Sequence, residues 1–484
     1  MRGAALVTAL LAGSACANAG LNVTTTCHLI AKAISNKSAV FWPGSPSYTQ
    51  DNLHWATSSS DVSTCSVEPG TAQDVGKILQ ILGTTKTPFA VKGGGHATNA
   101  GFSSTTGVLV AMSRFSNVTY NSAPQTVDYG TGIIWDDVYE ALEPFGVNIV
   151  GGRVSGVGVA GFSLGGGYSW LTNQHGLTVD NVAGFEIVLP NGQVTEVTRQ
   201  SDADLFFSVL GGYNNFGIVT RITAKAYPQG QVWGGIRVIL GVGDNWDALN
   251  NATAKFQAEV TDPKAQILPT YNIFAGTPAA TVIMFYDGTT PPAGIFDDLM
   301  AIPAAQEDVS TRSFLSLVQA TPSSLTTRAV FNTVSLTTLS PSLMRAVVNE
   351  TQFWAAKLTP ASANFISYDV EPFLTSLFTH GTVQATAYPP TRARGLLPLN
   401  IYYAWDLAAD DAVMQAAIKQ SAAHLKAVAV AEGQNVADAP VYGNYAAPGT
   451  SVQDVFGDSL PRMRKTKQRI DPHNVMALAG GWKV

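Results

Sequence analysis

Three consecutive glycines followed by a histidine constrain this chain more than any other stretch. They lie in the run Lys92-Gly93-Gly94-Gly95-His96-Ala97-Thr98-Asn99-Ala100-Gly101. The run follows the apolar segment 88–91, which reads as a strand. Without Cβ atoms the backbone can take positive φ and approach a ligand closely. Successive N–H groups in such a turn form a concave anion site suited to a pyrophosphate. A histidine directly after the turn then faces whatever carries that anion. The competing reading is a plain surface turn with a solvated or core histidine.

A second glycine-rich stretch, 151–168, contains Gly156-Val157-Gly158-Val159-Ala160-Gly161, a literal G-x-G-x-x-G. A nicotinamide-binding unit needs that motif to open a helix, with an acid about 20 positions on at a strand end. Here more glycine follows at 165–167, which penalises a propagating helix. Asp180 is expected in a polar loop rather than at a strand end. The alternative is backbone laid flat against a planar ring. A phosphate-type loop and a flat glycine wall together describe a nucleotide cofactor with a large ring; FAD fits that description, and other nucleotide cofactors stay open on the residues alone.

The 484 residues predict two or three domains, and 46% hydrophobic against 13% charged residues fits a large packed core. A net charge of −6 without a basic stripe argues against a nucleic-acid partner. The N-terminus has the pattern of a secretory signal. Met1-Arg2 is the charged start, 4–12 the apolar stretch, and Ala17-Asn18-Ala19 the cleavage pattern. That stretch is too short to span a membrane. Secretion leaves Cys27 and Cys65 as an even pair in an oxidising compartment, so one disulfide is expected, with two buried thiols as the alternative. Five sequons, at Asn22, Asn36, Asn117, Asn251 and Asn349, agree with a secreted glycoprotein. The seven histidines are scattered without metal-ligand spacing, so no metal site is expected.

Strands and short helices alternate up to about residue 228. Segment 71–82 has helical spacing, and 185–198 is a hairpin turning at Asn191-Gly192. From 229 the pattern changes to longer strands (233–240, 271–274, 280–286, 365–370, 381–387, 399–405). These are interleaved with helices at 247–260, 295–300, 313–319, 340–357 and 411–430. That predicts an antiparallel sheet with helices on one face, hence an α+β chain. Its parts are a signal (1–19), a first domain (20–228), a second domain (229–435) and a C-terminal segment (436–484).

The chain resembles the FAD-linked oxidases of the vanillyl-alcohol-oxidase superfamily, in the berberine-bridge-enzyme-like branch. The resemblance rests on 91–101, 128–142, 151–182 and 186–197. It continues through Asp204-Leu205-Phe206, Gly211-Gly212-Tyr213-Asn214-Asn215-Phe216-Gly217-Ile218-Val219-Thr220, Tyr442-Gly443-Asn444-Tyr445 and Arg469-Ile470-Asp471-Pro472-His473-Asn474-Val475. The middle domain matches only in outline. The resemblance implies a two-part FAD-binding domain of PCMH type, to which the C-terminal segment returns, and an antiparallel-sheet substrate domain covering the flavin.

It implies a covalent bond from His96 to the flavin 8α-methyl. The cofactor-binding positions it implies are Lys92, Gly93, Gly94, Gly95, Ala97, Thr98, Asn99, Val154, Val157, Gly158, Gly161, Gly166, Gly217, Ile218, Val219 and Asn444. Bicovalent relatives carry a cysteine where this chain has Val154, so a single link through His96 is expected. The small Val157 at the position said to gate oxygen implies an oxidase using O2.

For the chemistry, the resemblance points to Tyr168, which is equally readable as a packed aromatic, and to the strand 399–405. Alternation puts Asn400, Tyr402 and Ala404 on one face there. Asn400 replaces the acid or glutamine of relatives and cannot act as a base. Attention therefore moves to a tyrosine with a lowered pKa, Tyr442 or Tyr445. Asp369, His380 and Arg392 are candidate pocket-lining polar residues of the second domain, with a structural role as the favoured alternative. The expected activity is oxidation of a small organic substrate with O2 as acceptor and H2O2 as product. The alternatives are a carbohydrate oxidase, or a flavin-containing cyclase or binding protein without net redox turnover.

Overall fold

The computed structural model describes residues 22–274, 276–321, 327–381 and 385–484. The segment read as a signal lies outside them.

Near the N-terminus, helix Val23–Ala33 is capped by the Asn22 side chain and tied to strand Cys65–Glu68 by the Cys27–Cys65 disulfide. That strand belongs to a four-stranded sheet ordered Ala39–Phe41, Cys65–Glu68, Val108–Ala111, Phe89–Lys92, whose last three strands run parallel. Helix Ala72–Thr85 packs Val75, Ile78, Leu79 and Leu82 into its core. Burial explains the helical spacing: its apolar stripe faces the sheet. A second, antiparallel sheet follows, ordered Val118–Asn121, Thr126–Gly130, Ile218–Lys225, Val182–Val188, Val194–Val197.

Residues 232–405 build a third, seven-stranded antiparallel sheet. Its order is Gln306–Arg312, Val232–Leu240, Thr277–Tyr286, Ala265–Phe274, Ala363–Val370, Leu397–Trp405, Arg328–Leu336. Helices Asn245–Glu259, Pro341–Leu358 and Asp411–Ala431 pack against one face. Tyr368, Val370, Ile401 and Tyr403 lie in the core between sheet and helices. The alternate residues Ser367, Asp369, Asn400 and Tyr402 face the other way, as a period of two requires.

The C-terminal segment returns to the first part of the chain. Lys467 Nζ donates to Asn215 O at 2.9 Å, Asn215 Nδ2 to Trp482 O at 2.7 Å, and Asn214 Nδ2 to Gly480 O at 3.1 Å.

Several sequence expectations are corrected. The edge strand Gln306–Arg312 has hardly any buried side chains, so its composition carried no apolar alternation to find. Arg328–Leu336 is a strand where none was expected. Gly381 and Ala385 to Ala387 form no strand; Ala387 N instead bonds Leu210 O at 2.7 Å, and 382–384 lie outside the described residues. The G-x-G-x-x-G does open a short helix, Val159–Gly165, with Gly158 as its cap. That helix is not part of a parallel crossover, because Gly158 bridges Ile134 in antiparallel fashion. Asp180 lies in the helical turn Thr178–Asn181, not a polar loop, and its buried carboxylate pairs with Arg392 at 2.5 Å.

Candidate functional site

One cavity of about 850 Å3 runs between the glycine stretches and the open face of the seven-stranded sheet. Its first wall is backbone. Gly94 and Gly158 meet so closely that a Cβ on Gly94 would lie 2.4 Å from the Gly158 Cα, and one on Gly158 2.6 Å from the Gly94 Cα. Each glycine is therefore required by the other, a contact the sequence reading assigned to a ligand alone. Gly95 takes φ +71°, a turn other residues adopt only under strain. A Cβ on Gly161 would meet nothing within 4 Å, so that position opens onto the cavity.

Gly93, Gly94, Gly95, His96, Ala97, Thr98, Asn99, Val154, Val157, Gly158, Gly161, Gly217, Ile218, Val219 and Asn444 all line this space. Two expected members do not. Lys92 turns away and donates to Gln50 O (3.1 Å) and Asp51 O (2.8 Å), bracing the end of helix Pro46–Asn52; burial pushes its ammonium down to about 8. Gly166 packs under Tyr388, with φ +133°.

His96 is stacked on Trp55, ring centroids 4.3 Å apart and 16° from parallel. Burial pushes its imidazole down to about 4, so the ring is neutral at pH 7. Trp55 is held to the glycine loop by its N–H to Gly95 O, 3.0 Å. Thr98 Oγ1 accepts the Phe331 N–H at 3.3 Å and so docks the loop on the sheet.

The second wall is made of side chains. Arg153 Nη2 meets Glu371 Oε2 at 2.7 Å and donates to Tyr445 Oη at 3.0 Å, while Tyr445 donates to Glu371 Oε1 at 3.0 Å. Beside this triad Asp369 accepts from Asn400 Nδ2 at 3.0 Å and from the Ser367 hydroxyl. Burial pushes Asp369 up to about 6, against those two donors. Burial also raises Glu371, opposed chiefly by the Arg153 charge.

The sequence reading looked for a tyrosine with a lowered pKa, and the surroundings of the candidate tyrosines act in the opposite direction. Burial holds Tyr402, Tyr442 and Tyr445 well above the ordinary phenol range, and Glu371 adds to this at Tyr445. Tyr442 accepts from Gly167 N (3.1 Å) and Asn444 Nδ2 (2.7 Å). Tyr168 is not among the lining residues; it bonds Tyr388 Oη at 3.0 Å and packs on Phe373. Arg392 and His380 are structural: the first holds Asp180, and the second meets Asn173 O at 3.1 Å. Asp369, in contrast, lines the cavity.

Sequence reasoning missed Arg153, Glu371, Trp55 and Phe331. One signal was present: Asp369-Val370-Glu371 places two acids around an apolar residue at a strand end, in a chain with few charges.

The donor set fits a large planar nucleotide cofactor. Asn99 Oδ1 and Arg153 Nη1 are buried in the cavity wall without hydrogen-bond partners among the described residues. Such groups are normally satisfied. The space is of the size expected for a cofactor or ligand site.

A family model described as an FAD binding domain matches residues 63–198, the span holding both glycine stretches. Through this span the chain carries an FAD binding domain and is similar to FAD-linked oxidoreductases. An FAD-linked oxidoreductase of Arthroderma benhamiae is 35% identical over 299 residues, which is 60% of this chain and 59% of that protein, so the match spans little more than half of the relative's length. The fold of the chain is that of the BBE-like 1 protein of Physcomitrella patens (TM-score 0.77, 19% identity, 94% of this chain and 97% of that one). It is also that of the carbohydrate oxidase from Microdochium nivale (TM-score 0.76, 20% identity, 94% and 97%). Among the described residues no helix is long and apolar enough to cross a membrane, and no group of three or more His, Cys, Asp or Glu is placed to hold a metal ion.

Proposed function

We propose that this chain is an FAD-linked oxidoreductase that acts in the secretory pathway as an oxidase. It removes a hydride equivalent from a small organic substrate and passes the electrons to O2, giving H2O2. The observation that carries this reading is the Arg153–Glu371–Tyr445 triad on the wall opposite the glycine cradle. Glycines 93–95, 158 and 161 with His96, Asn99 and residues 217–219 would hold the FAD, and His96 would bond its 8α-methyl carbon. When bound, the flavin supplies the two-electron chemistry.

The protein's own part is to move a proton. Tyr445 Oη accepts from Arg153 and donates to Glu371, which leaves it room to accept the proton of a substrate O–H or N–H. As it does so its own proton passes to Glu371, and Arg153 offsets the charge on both oxygens. A free tyrosinate is never needed, which reconciles a proton acceptor with a strongly raised phenol. The small side chain of Val157 at the cavity wall supports access of O2. The five sequon asparagines are exposed, in keeping with glycosylation, although Thr253 and Thr351 of two sequons are buried in helices.

The test is to purify the secreted protein, precipitate it with acid and follow the yellow colour. Colour in the pellet that His96→Ala releases, with H2O2 formed on a panel of alcohols and amines, is the expected result. Colour lost entirely to the supernatant removes the covalent role of His96. A flavin that no substrate reduces anaerobically removes the oxidase reading.

A further inference from the structure

Beyond the triad, the sheet wall holds a cluster that the proton transfer does not use. Asp369 lies in the cavity wall, and its carboxylate is held only by the neutral Ser367 and Asn400. Among the described residues no arginine, lysine or histidine forms an ion pair with it; the nearby Arg153 is taken by Glu371. An ionised carboxylate buried without a counter-charge is strongly disfavoured.

Two more groups point the same way. Asn400 Oδ1 and Tyr402 Oη are buried at the cavity with no hydrogen-bond partner among the described residues, on residues 7% and 9% exposed. Asn400 commits its amide N–H to Asp369, so what it offers the cavity is an acceptor. The ring of Tyr402 is surrounded by Phe331 (5.1 Å between centroids), Phe365 (5.2 Å) and Trp55 (5.6 Å). The wall therefore presents a carboxylate and two further acceptors beside four aromatic rings, three of them cavity neighbours of the first.

We propose that this side of the cavity is a subsite for an organic ammonium group on the substrate, with Asp369 as counter-ion and Asn400 Oδ1 and Tyr402 Oη as the other two acceptors. This rests on the cavity being the substrate pocket of the oxidoreductase. A primary ammonium has three N–H donors and one positive charge, which matches three acceptors and one unpaired carboxylate. Aromatic faces add attraction for a desolvated cation. A single alcohol hydroxyl supplies one donor and no charge, so it leaves the carboxylate uncompensated. An anionic ligand would meet Asp369 with like charge.

The experiment titrates the FAD-loaded protein anaerobically with benzylamine, benzyl alcohol and benzyltrimethylammonium, reading the flavin absorption difference spectrum and the heat of binding. Benzylamine is expected to bind about tenfold or more tighter than benzyl alcohol, and tighter than the quaternary ion, which has no N–H. In Asp369→Asn that preference disappears while FAD content is unchanged. Should Asp369→Asn fail to accumulate, Tyr402→Phe serves: amine affinity falls about fivefold and alcohol affinity stays the same. Equal binding of amine and alcohol, binding of neither, binding of the quaternary ion as tight as the primary one, or a preference that survives in Asp369→Asn would overturn the proposal. Binding needs no turnover. An amine-selective protein whose flavin is never reduced would therefore retire the oxidase reading and leave the subsite standing.

Discussion

The two walls of the cavity are built on opposite principles. The glycine wall works by what it lacks: at Gly94 and Gly158 two backbones touch because neither residue has a Cβ. The sheet wall works by what it carries, with Arg153, Glu371, Tyr445, Asp369, Asn400 and Tyr402 converging on one space. The first wall is built from short glycine-rich stretches, each recognisable in the sequence by itself, that meet at Gly94 and Gly158. The second depends on strand order, because Ala363–Val370 and Leu397–Trp405 must pair for Asp369 to sit opposite Asn400. On the proposed function, a cofactor shared by many enzymes would be met mainly by backbone and the variable substrate by side chains.

The largest expected effect separates the walls by function. Tyr445→Phe removes the proton acceptor but leaves the Arg153–Glu371 pair in place. Flavin reduction by substrate, followed by stopped flow, should slow about a hundredfold to ten-thousandfold with FAD content unchanged. Loss of the flavin itself in this variant would show that the division between the walls is wrong.

On the other side, Gly94→Ala forces a methyl against the Gly158 backbone. We expect about 3 kcal/mol of destabilisation in a urea melt, together with poor FAD retention. Gly161→Ala sharpens the contrast. Its methyl meets no protein atom within 4 Å, so stability should be kept while FAD binding weakens.

A pH profile tests the sheet wall next. Glu371 accepts a proton only when ionised, and its folded pKa is raised by burial. The rate of flavin reduction should therefore fall as pH drops through that raised pKa, at about tenfold per pH unit, beginning above the ordinary carboxylate range. Glu371→Gln should abolish that limb. A limb surviving in the variant would move the acceptor elsewhere.

The smallest effect concerns Lys92, which belongs to neither wall. Lys92→Met removes two bonds to the carbonyls at the end of helix Pro46–Asn52. A loss of about 2 kcal/mol in stability is expected, with FAD content normal. A large loss of FAD would return Lys92 to the cradle.

The same contrast explains what could be read from sequence. The loop at 92–101, the glycine run at 151–168 and the expected cysteine pair are local or compositional signals, and all were legible. The period of two placed Asn400 and Tyr402 on a common face without any knowledge of the neighbouring strands. What stayed hidden was pairing. With an asparagine at position 400, the sequence reading looked to tyrosines for a base, whereas a carboxylate stands on the adjacent strand at Asp369 and another just beyond it at Glu371. Only the register of two strands some thirty residues apart reveals that. The raised tyrosines were illegible for a related reason: burial sets them, and burial at the cavity is a property of the assembled walls. The acidic edge strand Gln306–Arg312 escaped because an edge exposes both of its faces.

The return of the C-terminal segment has a consequence for biosynthesis. Asn214, from the first half of the chain, shares the cavity wall with Asn444, Gly480 and Trp482, and Asn99 Nδ2 reaches across to Ala446 O at 3.1 Å. A nascent chain that has exposed only the two glycine stretches holds half a cradle. The cavity cannot close while residues 442–482 are still inside the ribosome. Its completion is thereby timed by the arrival of the C-terminal segment rather than by the appearance of the two glycine stretches.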